Sequence, residues 1–289
     1  MTGTGRQPSV EGLPPSRSLD ACGGMSGPGT SSGTENAVPL DGQVAVVTGA
    51  GQGVGEGIAR ALAAAGAAVV VAARRAATGE PVAESIRAAG HQAAFVRCDV
   101  TEADDVQTVV AEAVRRFGGL DAMVHNAVAP PGPRRPLQDA DGDIIRPQIA
   151  TSVTAAYHCA TAALPHLRRR PGAMILLTSP AGVEGSAGLP VYAAVKAAQR
   201  GIVKSLAREW GRYGVRVNAI APVARTPAMD AAVAANPDLE TRLVARTPLG
   251  RLGDAAADIG PVAVFLASDG ARYITGQTIV ADGGGFLGL

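Results

Sequence analysis

From Gln43 onward, short β-branched and alanine-rich runs alternate with longer segments of helical periodicity. The runs are Val44–Thr48, Ala68–Ala73, Ala93–Cys98, Leu120–His125, Ala173–Thr178, Val215–Ile220 and Thr278–Ala281, and they predict seven strands. Between them, Ile58, Leu62 and the surrounding alanines, then Val106, Val109, Val110 and Val114, recur at the spacing of one helix face and would cover a sheet. Strands this apolar on both sides, each followed by a helix, predict an α/β fold with a doubly wound, seven-stranded parallel sheet and helices on both faces. In such a fold the ligand crevice lies beyond the strand C-termini.

The first 40 residues break the pattern, with Gly, Pro, Ser and Thr at 23 positions. Such a stretch buries too little apolar surface to offset its ordering entropy, so residues 1–39 are expected to be a disordered tail and residues 40–289 a single domain. Translation from Met25, or a tail that is partly a cloning remnant, would fit the same composition. The chain has 289 residues, 47% of them hydrophobic, and a formal charge of +1. No net field would gather nucleic acid or an anionic membrane. Three distant cysteines, Cys22, Cys98 and Cys159, suit neither a disulfide framework nor a zinc cluster and point to a reducing, cytoplasmic setting. No apolar run reaches the ~18 residues of a membrane span, and the N-terminus lacks a signal core.

The first strand runs into Thr48-Gly49-Ala50-Gly51-Gln52-Gly53-Val54-Gly55, and a helix follows. Glycines allow a tight turn and close approach to a pyrophosphate, and the helix N-terminus offers free N–H groups, so phosphate binding is the natural use. The second strand ends at Arg74-Arg75, where dinucleotide sites discriminate the adenosine ribose. A carboxylate there would accept from a free 2′-OH; a guanidinium pairs with a 2′-phosphate, which favours NADP over NAD. Asp99 with Val100 closes the third strand, placed to meet the adenine edge, and Asn126-Ala127 follows the fourth beside the cleft. Both Asp99 and Asn126 would serve equally as turn residues.

Tyr192 and Lys196 stand i, i+4 on one predicted helix face. A cation beside a phenol favours the phenolate and brings a group of ordinary pKa ~10 into range as an acid/base, which carbonyl reduction needs. Thirteen residues earlier, Ser179 sits at the mouth of the fifth strand, able to hydrogen-bond a developing alkoxide. After the sixth strand, Pro222 and Thr226 lead into a Pro- and Ala-rich segment at about 223–248 that would form a substrate lid.

With these residues in hand, the chain from Leu40 to its end resembles the short-chain dehydrogenase/reductase family. The match rests on Thr48-Gly-x-x-x-Gly53-x-Gly55, Asp99-Val100, Asn126-Ala127, Ser179, Tyr192-x-x-x-Lys196, Arg216-Val-Asn218, Pro222 and Ile274-Thr-Gly-Gln…Asp282-Gly-Gly, in family order. The resemblance implies a Rossmann-like fold and an NAD(P)-dependent ketone/secondary-alcohol oxidoreductase. Tyr192 would be the acid/base, Ser179 would orient the carbonyl, Lys196 would bind the nicotinamide ribose and tune Tyr192, and Thr226 would hold the carboxamide. Gly49, Gln52, Gly53, Val54 and Gly55 would line the pyrophosphate. A homotetramer is also implied, consistent with an apolar final stretch, Gly283–Leu289, that would otherwise lie exposed. Three departures stand out. Ser152 takes the place of the family's catalytic Asn, whose backbone carbonyl holds a water of the proton relay. Asn-Asn-Ala-Gly becomes His125-Asn126-Ala127-Val128, and Pro-Gly becomes Pro222-Val223. These changes keep open an alternative, a redox-silent relative acting as a cofactor-bound binding protein or in another reaction type; intact Ser179, Tyr192 and Lys196 favour the reductase. His125 could titrate near neutrality, or be a strand-end imidazole satisfied by backbone. His158 and His166 are too far apart along one helix to share a metal, and no metal is expected. The Arg168-Arg169-Arg170 run complements the end of that helix rather than marking a nucleic-acid surface.

Overall fold

The computed structural model describes residues 39–286 except 131, 133 and 171. The tail expected over 1–39 falls almost wholly outside these, as do the last three residues of the apolar C-terminal stretch. Seven strands form one sheet: β1 (Val44–Thr48), β2 (Ala68–Ala73), β3 (Ala93–Arg97), β4 (Ala122–His125), β5 (Ala173–Leu177), β6 (Arg216–Pro222) and β7 (Thr278–Ala281). Their order is β3-β2-β1-β4-β5-β6-β7, and every pairing is parallel. The predicted runs locate all seven, with ends displaced by one or two residues; Leu120 and Asp121 precede β4, and Ala221 and Pro222 extend β6 by pairing with Val280 and Ala281. The order reverses between β1 and β4, so the crevice lies where Thr48 and His125 end adjacent strands.

Among the described residues there are ten α-helices: α1 (Gly53–Ala64), α2 (Ala76–Ala88), α3 (Ala103–Phe117), α4 (Gly142–Ile149), α5 (Ala155–Leu167), α6 (Ala181–Glu184), α7 (Pro190–Trp210), α8 (Pro227–Ala235), α9 (Asp238–Ala245) and α10 (Gly260–Ala267). Because side chains alternate along a strand, Val44 and Val46 enter one core while Ala45 and Val47 enter the other. The first core is shared with α3, α5 and α7, the second with α1, α2 and α10. On α3 the buried stripe is Val106, Val109, Val110 and Ala113; Val114, expected there, is only half-buried. Small residues let α1 approach its neighbours: a Cβ on Gly57 would meet the Ala255 carbonyl oxygen at 2.5 Å. Among the described residues, no helix is long and apolar enough to cross a membrane.

Candidate active site

β1 delivers the Gly-rich loop to the crevice. Gly49 and Gly53 have φ of +65° and +61°, the left-handed region that costs a side-chain-bearing residue strain. A Cβ on Gly55 would lie 2.6 Å from the Gly49 carbonyl oxygen, so the turn closes only around hydrogen. The side chain of Gln52 makes no capping bond, which leaves the first-turn amides of α1 available to an anion. Asn126 holds the loop from β4, its Nδ2 donating to the carbonyls of Thr48 (3.0 Å) and Gly49 (3.1 Å). The buried Thr48 hydroxyl accepts from the backbone N–H of Asn126 and of Ala127. Asn126 and Ala127 thus shape the cradle, and Thr48, absent from the expected site residues, is the joint between its halves.

These elements open on a cleft of about 630 Å³ lined along one side by Gly49, Gly51, Gln52, Gly53 and Val54. Arg74 and Arg75, at the end of β2, line it too, exposed and without an ion pair among the described residues. Beside them stands Asp99, whose Oδ1 accepts from the Thr101 N–H and hydroxyl. Desolvation works against the carboxylate, yet the Thr101 bonds and then Arg74 hold it below its ordinary pKa. Val100 is buried against the cleft wall. The residues therefore fit a dinucleotide: glycine backbone at the pyrophosphate position, free cations at the ribose end, and no Cβ to fill the cradle.

The far end of the cleft carries Ser179, Tyr192 and Lys196. Pro190 starts α7, and the helix presents Tyr192 and Lys196 on one face, with Lys196 Nζ 5.7 Å from the ring centroid. Ser179 follows β5, its Oγ accepting from the Ala181 N–H at 3.2 Å, and its hydroxyl lies close enough to Tyr192 to favour the phenolate. Here the electrostatics differ from expectation. Burial raises the Tyr192 pKa, and the nearby Ser179 hydroxyl offsets only part of that. Lys196 does not depress it, because the ammonium is itself desolvated and falls to about 7. Its Nζ donates to the Leu177 carbonyl at 2.6 Å and to Gln199 Oε1 at 3.0 Å.

Ser152 lies in a π-helical turn, Ala150–Thr154, between α4 and α5. It is fully buried, its Oγ has no hydrogen-bond partner among the described residues, and its carbonyl accepts from Gln199 Nε2 at 3.0 Å. The structure thus joins Ser152 to Lys196 through a residue that the sequence reading did not single out. A polar side chain three residues beyond Lys196, on a helix face otherwise filled by Val195, Ile202 and Val203, was the available signal. The Thr151 and Ser152 backbone lies beside the His125 ring, but its Nδ1 lies 3.3 Å from the Thr48 hydroxyl and Nε2 has no hydrogen-bond partner among the described residues. Desolvation, then the Lys196 charge, pushes it to about 3, so it does not titrate near neutrality. Pro222 ends β6 at the cleft, Val223 and Val128 line it, and the Thr226 hydroxyl caps α8 by accepting from Met229 N–H. The Pro- and Ala-rich segment folds into α8 and α9, which bury none of their residues fully.

A seven-stranded, doubly wound sheet with a glycine cradle at its switch point and a Ser–Tyr–Lys cluster opposite defines a nicotinamide-dependent oxidoreductase. The family model described as enoyl-(acyl carrier protein) reductase matches residues 49–285. The chain is 38% identical over 201 residues to L-fucose dehydrogenase of Oryctolagus cuniculus, covering 68% of this chain and 69% of that one. It is 37% identical over 194 residues to the 3-oxoacyl-[acyl-carrier-protein] reductase FabG of Staphylococcus aureus, covering 66% and 76%. A solved gluconate 5-dehydrogenase from Burkholderia cenocepacia J2315, in complex with NADP and tartrate, superposes with a TM-score of 0.79 at 31% identity, covering 86% and 96%. The chain belongs to the short-chain dehydrogenase/reductase family and is an oxidoreductase acting on a small molecule.

Proposed function

We propose that this protein uses NADPH to reduce a ketone to a secondary alcohol, and runs the reverse reaction with NADP. The observation that carries the reading is that Ser179, Tyr192 and Lys196 line the same cleft as the glycine cradle and as Arg74 and Arg75, which make no ion pair among the described residues. When bound, the nicotinamide supplies or accepts the hydride. Gly49, Gln52, Gly53, Val54 and Gly55 would hold its pyrophosphate, Arg74 and Arg75 the 2′-phosphate, Asp99 and Val100 the adenine edge, and Lys196 the ribose. Pro222 and Thr226 would border the carboxamide.

At the substrate, Ser179 donates to the carbonyl oxygen and fixes its position against the developing alkoxide. Tyr192, whose raised pKa keeps the phenol protonated at neutrality, delivers its O–H proton to that oxygen as the C–H bond forms. Val128, Leu189, Met229, Ala232, Leu239 and Leu243 give the substrate side an apolar wall, which favours cyclic or acyl ketones over polyols. The test follows NADPH absorbance against a panel of such ketones, then single-turnover hydride transfer by Tyr192→Phe on an accepted one. Removing a general acid costs ~10²–10⁴-fold. Turnover of no ketone, or a Phe variant at the parental rate, overturns the reading.

A further inference from the structure

Behind the cleft, Gln199 connects the Lys196 ammonium to the Ser152 carbonyl. Both residues of α7 face inward because they stand i, i+3, and Gln199 is 0% exposed. Its Oε1 accepts from Lys196 Nζ at 3.0 Å, and its Nε2 donates to the Ser152 carbonyl at 3.0 Å. The carbonyl is available because the π-helical turn at Ala150–Thr154 interrupts the regular i to i−4 ladder. The Leu177 carbonyl takes a second ammonium proton. An ammonium has three donors, so one remains for the cleft. Lys196 is faced by Tyr192 from the same helix and by the neutral His125 from β4, and among the described residues no carboxylate forms a salt bridge with it.

We propose that Gln199 is a positioning residue that takes over the bridge between Lys196 and the Ser152 carbonyl, aiming the ammonium at the cleft and sealing its rear. The inference rests on the reading of Lys196 as part of the site. The family resemblance puts a relay water between these two groups; here the side chain spans the gap itself. The exchange alters the chemistry. Water donates and accepts through one oxygen and can hand a proton along, whereas an amide accepts at oxygen and donates at nitrogen and keeps its protons. Lys196 therefore exchanges its proton only on the cleft side, and its charged form depends on the Gln199 oxygen.

The chain has only two lysines, Lys196 and the exposed Lys204, so isotope-labelled lysine gives two resolvable Cε signals whose titration needs neither cofactor nor substrate. In Gln199→Met, a dry side chain of similar length, Lys196 loses an acceptor, and its midpoint should fall by about one pH unit. In Gln199→Ala, a water can fill the space with two polar partners, and the midpoint should stay within about half a pH unit of the parent. Packing alone would rank these variants the other way, since the alanine leaves the larger cavity. Gln199→Leu serves as the dry variant if the methionine protein does not fold, and the second lysine signal, from exposed Lys204, serves as the internal reference. A dry variant titrating with the parent, or an alanine variant displaced as far as the dry one, overturns the proposal. Because the readout is a titration, it stands or falls apart from whether any ketone is turned over.

Discussion

Replacing Lys196 with methionine tests the electrostatics of the site through stability. The side chain is 3% exposed, and desolvation takes its pKa from 10.5 to about 7. The unfolded chain holds this proton up to pH 10.5 while the native chain releases it near 7, so between those values stability rises with pH. The penalty for burying the charge is complete below about pH 7 and gone above 10.5. Cys98, raised by burial from 9.0 to about 12, and Cys159, also raised, oppose this above pH 9, where the native state keeps protons the unfolded chain loses. His125 acts only below 6.5. The clean window is therefore pH 7 to 9. At ~1.4 kcal/mol per pH unit, half developed at the lower end, Lys196 adds a rise of ~2 kcal/mol across it. Urea unfolding of parent and Lys196→Met at both ends measures this: the parent should gain ~2 kcal/mol relative to the variant, whatever their absolute difference. A parent-minus-variant difference that stays flat would show that Lys196 is not held near neutrality and would refute the reasoning.

Changing Arg74 and Arg75 together to alanine should weaken NADPH at least about tenfold more than NADH, because a hydrogen bond to a charged group is worth ~1.5–3 kcal/mol; equal losses in fluorescence titration would remove the case for NADP. Residues 40–289 alone should retain turnover and sediment as a homotetramer, and a monomer or a loss of turnover would show that the assembly or the boundary is misassigned.

Strands and cradle were legible because their signals are local. Alternating apolar runs mark β1 to β7, and Gly49 and Gly53 stand where the backbone needs positive φ. Tyr192 and Lys196 were legible from helical spacing, but their charges were not: the sequence suggested a cation lowering a phenol, whereas burial raises Tyr192 and lowers Lys196. Desolvation depends on everything packed around a group, which spacing along one helix does not carry. Gln199 and Thr48 escaped for a related reason. Each acts on residues 47 and 76 to 79 positions away, and only the folded chain brings those within 3.5 Å.

The same reasoning links two departures from the family pattern that look separate in the sequence. His125 and Ser152 both stand where the family has an amide, and both are fully buried with an unpartnered polar atom, Nε2 and Oγ. The Thr151 and Ser152 backbone lies beside the imidazole, so a larger side chain at 152 and the ring at 125 draw on neighbouring space. If the ring fills space that an amide at 152 would need, Ser152→Asn alone overpacks the site and costs ~1–3 kcal/mol. Replacing His125 with Asn at the same time should recover much of that, giving a coupling energy of about 1 kcal/mol or more in a double-mutant cycle by urea unfolding. The Ser152 carbonyl that Gln199 engages is unchanged in all four proteins, so hydride transfer should vary far less than stability. Additive effects would mean that the two substitutions arose independently, and a large gain in turnover from Ser152→Asn alone would mean that the side chain at 152, and not its carbonyl, serves the reaction.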